Sequence, residues 1–334
     1  MADCNDLADK MEKLVVEEKK NETNWNDLPF EMKEMVVKEM DIETRARLKS
    51  CSKSDKYLVD SVPMICDELS LKVDQSNASL ILTQNPESKL DLKMEIIDEN
   101  KVIITRNGSS KEIPCASIEE GKTMMKQMIA SALSTGKLSV NTFYICHKKW
   151  TDFLNDFDIK VHTENVDIVT GDSNQAIEWL RKMAPGVESV KIEYWEEYDI
   201  IEGLGTIPAI VNAKSLDFGF TNTDINDDEL LNFKCTNMVH WGKSEITGEG
   251  INQLIKKAIA NDYSIDTKFS MTVSSVPSFL TWTDIIEGLN IEVTFSDDED
   301  SDERVGTIQM SRGKRVRVYF DYDDYMLSMS IESS

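Results

Sequence analysis

Three hydrophobic periods follow one another along the chain. Residues 5–20 place Leu7, Met11, Leu14 and Val15 at i, i+4, i+7 and i+8, which predicts a short amphipathic leader helix. Over residues 25–63 the spacing stays helical but breaks into three runs. Asp27-Leu28-Pro29 opens the first, with the proline in a first turn where its missing N–H costs nothing. Met32, Met35, Val36 and Met40 continue that run on one broad face. Asp41 suits the start of a second helix through Leu48, and Ser52 or Ser54 can cap a third carrying Tyr57, Leu58 and Val59.

From Glu68 to Pro114 the period drops to two. Leu69-Leu71-Val73, Leu80-Leu82, Leu90-Leu92-Met94-Ile96 and Val102-Ile104 alternate as strands do, and the turn-rich 98–101 and 106–109 join them into an antiparallel meander. A helix is expected over about 118–135, with Met124, Met128, Ile129 and Ala132 on one face.

Beyond it the two periods alternate. Strands are expected to start near Leu138, Val166, Val187, Ala213, Thr236, Asp266 and Ile291. Helices are expected over 150–157, 174–183, 200–211, 227–233, 250–260 and 277–289. The repeat of roughly 25 residues lies in the range of leucine-rich-type repeats, although no unit shows their full signature. Strand–helix alternation implies parallel neighbours joined by right-handed crossovers. A doubly wound α/β domain shares that alternation. Short units and the lack of a glycine-rich phosphate loop after any strand favour an irregular horseshoe. Three last strands are expected over 305–310, 315–319 and 325–331.

Residues 25–63 resemble an F-box, on Leu28-Pro29, Glu31, Met32, Val36, Met40, Leu48 and Cys51 at the family's intervals. Trp25 ahead of Asp-Leu-Pro, and the Cys-Ser-Lys…Leu-Val-Asp ending, are similar to the large nematode F-box families. Arg45 departs from the leucine many F-boxes carry, and Asp55 from their tryptophan. The resemblance implies an adaptor-docking surface formed by Leu28, Pro29, Met32, Val36, Met40, Leu48 and Cys51. It also implies a Skp-type adaptor and, through it, a cullin as partners, with an FTH-type or leucine-rich-repeat-like domain behind to capture a protein substrate. The implied function is the substrate-recognition subunit of a ubiquitin ligase, itself non-catalytic and without cofactor. The alternative is a scaffold that binds a regulatory partner without ubiquitin transfer.

The fold class expected is therefore α+β: a three-helix F-box, then an irregular leucine-rich-repeat-like α/β solenoid with antiparallel β caps. The corresponding map is a helical leader at 1–22, the F-box at 23–65, and a meander plus helix as N-terminal cap at 66–137. Repeats follow at 138–296, then an acidic loop and the last strands at 297–334.

Charge narrows the partners. With 37 basic against 61 acidic residues the chain carries −24, which disfavours nucleic acid and anionic membrane and suits basic protein partners. The 334 residues, 40% of them apolar, suffice for more than one packed unit. The N-terminus lacks the basic start and apolar core of a signal peptide, and no apolar run approaches a membrane span. Six scattered cysteines without a Cys-x-x-Cys read as reduced thiols, so a cytoplasmic or nuclear rather than secreted protein is expected.

Candidate chemistry is sparse. Cys146-His147 invites a nucleophile–base reading, but strand neighbours point to opposite faces. Cys235 and His240 lack the paired short spacings of a zinc site. Residues 224–229 superficially resemble a calcium loop yet lack its sixth-position glycine and closing acid, and read as an acid-rich helix start. The acidic run 297–303 reads as a solvated loop in which Ser301 is a candidate phosphorylation site.

Overall fold

Three short helices form because each has its own start signal. A 3-10 turn at Trp25–Asp27 leads to α1 (Phe30–Glu39), followed by α2 (Ile42–Cys51) and α3 (Lys53–Ser61). Pro29 sits at the N-cap of α1, one position ahead of the first turn expected for it. The Asp41 carboxylate accepts the Thr44 N–H at 2.7 Å to start α2, and Ser52 Oγ accepts the Asp55 N–H at 3.0 Å to start α3. Val37, Leu58, Val59 and Val62 form the core, with Trp25, Met40 and Leu48 packed against it. Val37, rather than its neighbour Val36, faces inward. The α1 stripe that meets α3 thus runs through Val37 and Met40, and the side chains on the Met32–Val36 flank turn away.

The computed structural model describes residues 24–133, 138–147, 161–194, 199–260, 270–274, 282–289, 292–295, 304–309, 314–321 and 326–333. The expected leader helix, the expected helix at 150–157 and the 297–303 run lie outside them. The chain divides into two compact units, Met1–Met64 and Ile65–Ser334.

The sheet opens with β1 (Met64–Val73), β2 (Asn77–Asn85), β3 (Ser88–Asp98), β4 (Lys101–Arg106) and β5 (Ser109–Pro114), each antiparallel to the one before. The fifth strand is polar and mostly exposed at the edge of the sheet, so it lacks the apolar alternation that revealed the other four. Helix α4 (Ile118–Leu133) follows. Its inward residues are Gly121, Met125 and Ile129, while Met124 is only half-buried; the stripe is rotated from the one expected. At Gly121 the backbone comes so close that an added Cβ would stand 3.2 Å from Ile96 and 3.3 Å from Val102.

Strand and helix then alternate: β6 (Leu138–His147), β7 (His162–Thr170), α5 (Ser173–Arg181), β8 (Ser189–Tyr194), the short β9 (Ile200–Ile201), α6 (Pro208–Val211), β10 (Ser215–Gly219), the short β11 (Asn222–Thr223), α7 (Asp227–Asn232), β12 (Asn237–His240), α8 (Gly248–Ala260), β13 (Ser270–Ser274) and α9 (Trp282–Ile286). The helix expected over 200–211 is instead β9, a 3-10 turn at Leu204–Thr206 and the four-residue α6. Gly203 takes φ 78°, which interrupts any helix, and Pro208 restarts one at its first turn. The chain closes with β14 (Glu292–Phe295), β15 (Arg304–Gln309), β16 (Lys314–Asp321) and β17 (Met326–Ser333).

All of these strands but β9 and β11, which pair with each other, make one 15-stranded sheet, ordered β14-β15-β16-β17-β13-β12-β10-β8-β7-β6-β1-β2-β3-β4-β5. The six strands β6, β7, β8, β10, β12 and β13 are mutually parallel and lie side by side in chain order. A doubly wound sheet reverses its order at a switch point; this array does not. The strand expected near Ile291 leaves the array: β14 pairs antiparallel with β15 at the far edge, and β17 closes on β13. A period of two is common to parallel and antiparallel strands, so the pattern alone could not choose its partner.

One register row runs Phe143, Val166, Val190, Leu216, Met238 and Met271. The first five are buried, as are Ile145, Ile168 and Ile192 in the next row of that face. Trp179 of α5 meets Phe143 edge-on at 5.4 Å. Helical side chains thus cover this face and make the core of the array.

Candidate functional site

In the helical unit the apolar residues split into two populations. Phe30, Met32, Met35 and Val36 on α1 and Tyr57 on α3 stay exposed, Met35 and Tyr57 at 70% and 71%. Pro29 and Cys51 are exposed too, and Leu28 is half-buried. Met40 and Leu48 instead pack on the inner core. Of the seven docking residues expected, the surface therefore holds Pro29, Met32, Val36 and Cys51 outright and Leu28 in part. Phe30, Met35 and Tyr57 extend the exposed apolar set, a pattern that periodicity could not separate from the inward stripe.

Both departures from the F-box pattern serve the unit itself. Arg45 is buried and its guanidinium donates to the carbonyls of Lys38, Val62 and Pro63, each at 3.2 Å. That ties the end of α1 to the chain leaving α3. Asp55 accepts the Ser52 hydroxyl at 2.7 Å and the Trp25 indole N–H at 3.0 Å. These two bonds, Ser52 first, hold its carboxyl below the usual range.

In the second unit, the face of the parallel array opposite the core carries Tyr144, Asp167, Lys191, Asp217 and Val239 in one row. All five are half-buried. Burial pushes the Asp167 carboxyl up, Lys191 opposes that, and the carboxylates of Glu193 and Asp217 add to it. Lys191 already pairs with Glu193 at 2.5 Å. Where this face meets the C-terminal ends of β10 and β12, Phe220 (78% exposed) and Trp241 (42%) lie with ring centroids 5.0 Å apart. Towards the meander, Lys72 Nζ lies 5.7 Å from the Tyr144 ring, near a cavity of about 290 Å³ that Lys72, Lys93, Glu95 and Cys146 help to line.

The other candidates resolve into structural roles. Cys146 is half-buried on one face and His147 buried on the other. Burial raises the Cys235 thiol to about 12, leaving it no thiolate near neutrality. In the acid-rich 224–229 segment, Asp224 accepts the Gly203 N–H at 2.8 and 2.9 Å through its two oxygens. Asn226 and Glu229 make a reciprocal capping box for α7. Among the described residues no group of His, Cys, Asp or Glu is arranged to hold a metal ion, and no helix is long and apolar enough to cross a membrane.

Comparison with known families gives the helical unit its class: the F-box domain model matches residues 25–66. The chain therefore carries an F-box at its N-terminal helices, followed by a large mixed sheet with helices. F-box domains generally bind a Skp-type adaptor and thereby a cullin, and the proteins that carry them are generally non-catalytic adaptors. No curated protein and no solved structure matches the chain.

Proposed function

We propose that this chain is the substrate-recognition subunit of a Skp–cullin–F-box ubiquitin ligase. One observation carries the reading: the helical unit closes its core with Val37, Leu58, Val59 and Val62 yet leaves Phe30, Met32, Met35, Val36 and Tyr57 outside it. A small helical unit gains nothing from five large exposed apolar side chains unless a partner covers them. In this reading Leu28, Pro29, Met32, Val36 and Cys51 contact the adaptor, and Met40 and Leu48 hold the helices that present them.

The second unit is then the substrate-binding part. Its parallel strands start at residues 138, 162, 189, 215, 237 and 270 and lie in chain order, and the first five have one face buried. That arrangement fits an irregular leucine-rich-repeat-like array between antiparallel caps, the FTH-type domain of nematode F-box families being one such expectation. The subunit works by proximity: it raises the concentration of a protein substrate beside the charged conjugating enzyme and makes no bond itself. Its setting is cytoplasm or nucleus, and its partners are proteins rather than nucleic acid or membrane.

The test is affinity purification of the tagged full chain beside a Leu28→Ala/Pro29→Ala/Met32→Ala variant. Adaptor and cullin are expected with the wild type and lost from the variant, while other partners remain. Their absence from the wild-type sample would replace the ligase reading with the scaffold.

A further inference from the structure

The half-buried face of the parallel array carries charge that its own packing explains only in part: Asp217 accepts the Gly219 N–H at 3.0 Å, whereas Asp167 Oδ1 is buried with no hydrogen-bond partner among the described residues. Asp167, Lys191 and Asp217 stand in adjacent register on three neighbouring strands, and Glu193 lies two residues beyond Lys191 on the same face. The only cation of these four is engaged by Glu193. Three carboxylates thus share one lysine, and at Asp167 burial makes the charge costly. At the C-terminal edge of the same strands come two aromatic side chains that the core does not take up.

Their placement follows from the strands. On β12, Val239 faces the half-buried side and His240 the core, so Trp241 falls back to the side of Val239. On β10, Asp217 takes that side beside Val239 and Phe218 the core; the register then shifts, so that Gly219 stands beside His240 and the next residue, Phe220, meets Trp241. Gly219 takes φ 47°, a left-handed turn that glycine accepts freely, and Phe220 follows it. The Trp241 N–H donates to the Gly219 carbonyl at 2.6 Å, and an added Cβ at Gly242 would collide with the Thr221 carbonyl oxygen. Two close backbone approaches therefore fix the loops that carry the ring pair. A loop whose backbone is already ordered loses little further backbone entropy when a partner covers it.

We propose that this face, from Asp167 and Asp217 to the Phe220–Trp241 pair, docks an extended, lysine- or arginine-bearing segment of a protein partner. Cations suit both halves of it: carboxylates by charge, and ring faces through their quadrupole. The chain's net charge of −24 draws such a segment in. Designation of the segment as substrate rests on the ligase reading; the docking itself does not.

A fluorescein-labelled peptide of alternating lysine and serine, titrated with the full chain and followed by anisotropy, tests this. Phe220→Ala/Trp241→Ala and Asp167→Asn/Asp217→Asn are each expected to weaken binding at least about tenfold. Glu119→Gln/Glu120→Gln on α4 removes the same charge elsewhere and is expected to leave affinity within about twofold. Equal affinity across all variants, or an equal loss from the α4 variant, overturns the proposal in favour of unspecific attraction to an acidic chain. Phe220 and Trp241 are exposed, so their removal leaves the fold intact, which circular dichroism checks. The titration contains no adaptor, so loss of adaptor binding and loss of peptide binding are separate results.

Discussion

The Trp25 indole N–H donates to the Asp55 carboxylate at 3.0 Å, across 30 residues of chain. Trp25 stands at the entrance to the first helix and Asp55 in the first turn of α3, so this one bond joins the start of the helical unit to its last helix. The same carboxylate takes the hydroxyl of Ser52, whose oxygen accepts the Asp55 N–H in return.

The pair should therefore behave as a clasp. Trp25→Phe keeps the ring against the core and removes the donor, with an expected loss of about 1 kcal/mol. Asp55→Ala also disturbs the Ser52 cap and should cost about 1–2 kcal/mol. Native-state hydrogen exchange of the α1 and α3 amides reads both, and a double-mutant cycle should return a coupling of about 1 kcal/mol. Additive losses would mean that no clasp exists. Because the folded carboxyl is held below the ordinary aspartate value of 3.8, this contribution is complete above that pH and fades as pH falls through the lower folded value.

Arg45 gives a sharper test, because leucine is the residue many F-boxes carry there. Arg45→Leu keeps an apolar stem, shortens the buried side chain and leaves the carbonyls of Lys38, Val62 and Pro63 without these donors. An expected destabilisation of about 2–4 kcal/mol follows from the orphaned acceptors. Arg45→Lys should not rescue, since one ammonium cannot reproduce a fork spanning three carbonyls. Exchange protection of α1 and α2 is the readout, and a neutral Arg45→Leu would show that the guanidinium bonds contribute nothing net.

The division of labour among the docking residues is open to the same separation. Met32→Ala and Val36→Ala should each weaken adaptor binding by about 1–2 kcal/mol in calorimetry while leaving exchange protection of the helices unchanged. Met40→Ala and Leu48→Ala should do the reverse in first instance, loosening the helices by about 1–3 kcal/mol through lost packing. Loss of affinity from Met40→Ala with full helix protection would move Met40 to the contact surface.

Much of this was readable because it is local. Asp41 and Ser52 announce helix starts through a side chain three residues from the amide it caps. The meander shows in the alternation of Leu80-Leu82 and Leu90-Leu92-Met94. What escaped depends on partners distant in sequence. Val36 and Val37 are equally apolar, and only the arrival of Leu58 and Val59 decides which one is inside. The run 200–211 has helical composition, but Gly203 and Pro208 cut it into a strand, a 3-10 turn and a single helical turn. The strand at Glu292 alternates like its predecessors and pairs elsewhere, with β15. The ring pair escaped for a related reason: Phe220 and Trp241 are distant in the chain, and only the parallel pairing of β10 with β12 brings them together.

His240 supplies the pH dependence. It is buried beside Phe218, ring centroids 5.7 Å apart, with Thr223 Oγ1 3.2 Å from its Nε2. Burial lowers its pKa from 6.5 to about 4. The folded state thus binds fewer protons than the unfolded chain between those values, and stability must fall as pH drops through that interval. Above pH 6.5 both states are neutral at this residue and its contribution is flat; below about 4 the loss is complete. The difference corresponds to about 3 kcal/mol. Acid therefore acts on the middle of the parallel array, where β10 meets β12. His240→Gln can keep a contact with Thr223 and cannot take up the proton. Urea melts at pH 7 and pH 4.5 should show a wild-type loss that exceeds that of the variant by about 2–3 kcal/mol. The subtraction matters, because Asp167 and Glu229, whose carboxyls burial pushes up, change stability in the opposite direction over the lower part of the same range. Equal losses in the two proteins would remove His240 as the cause.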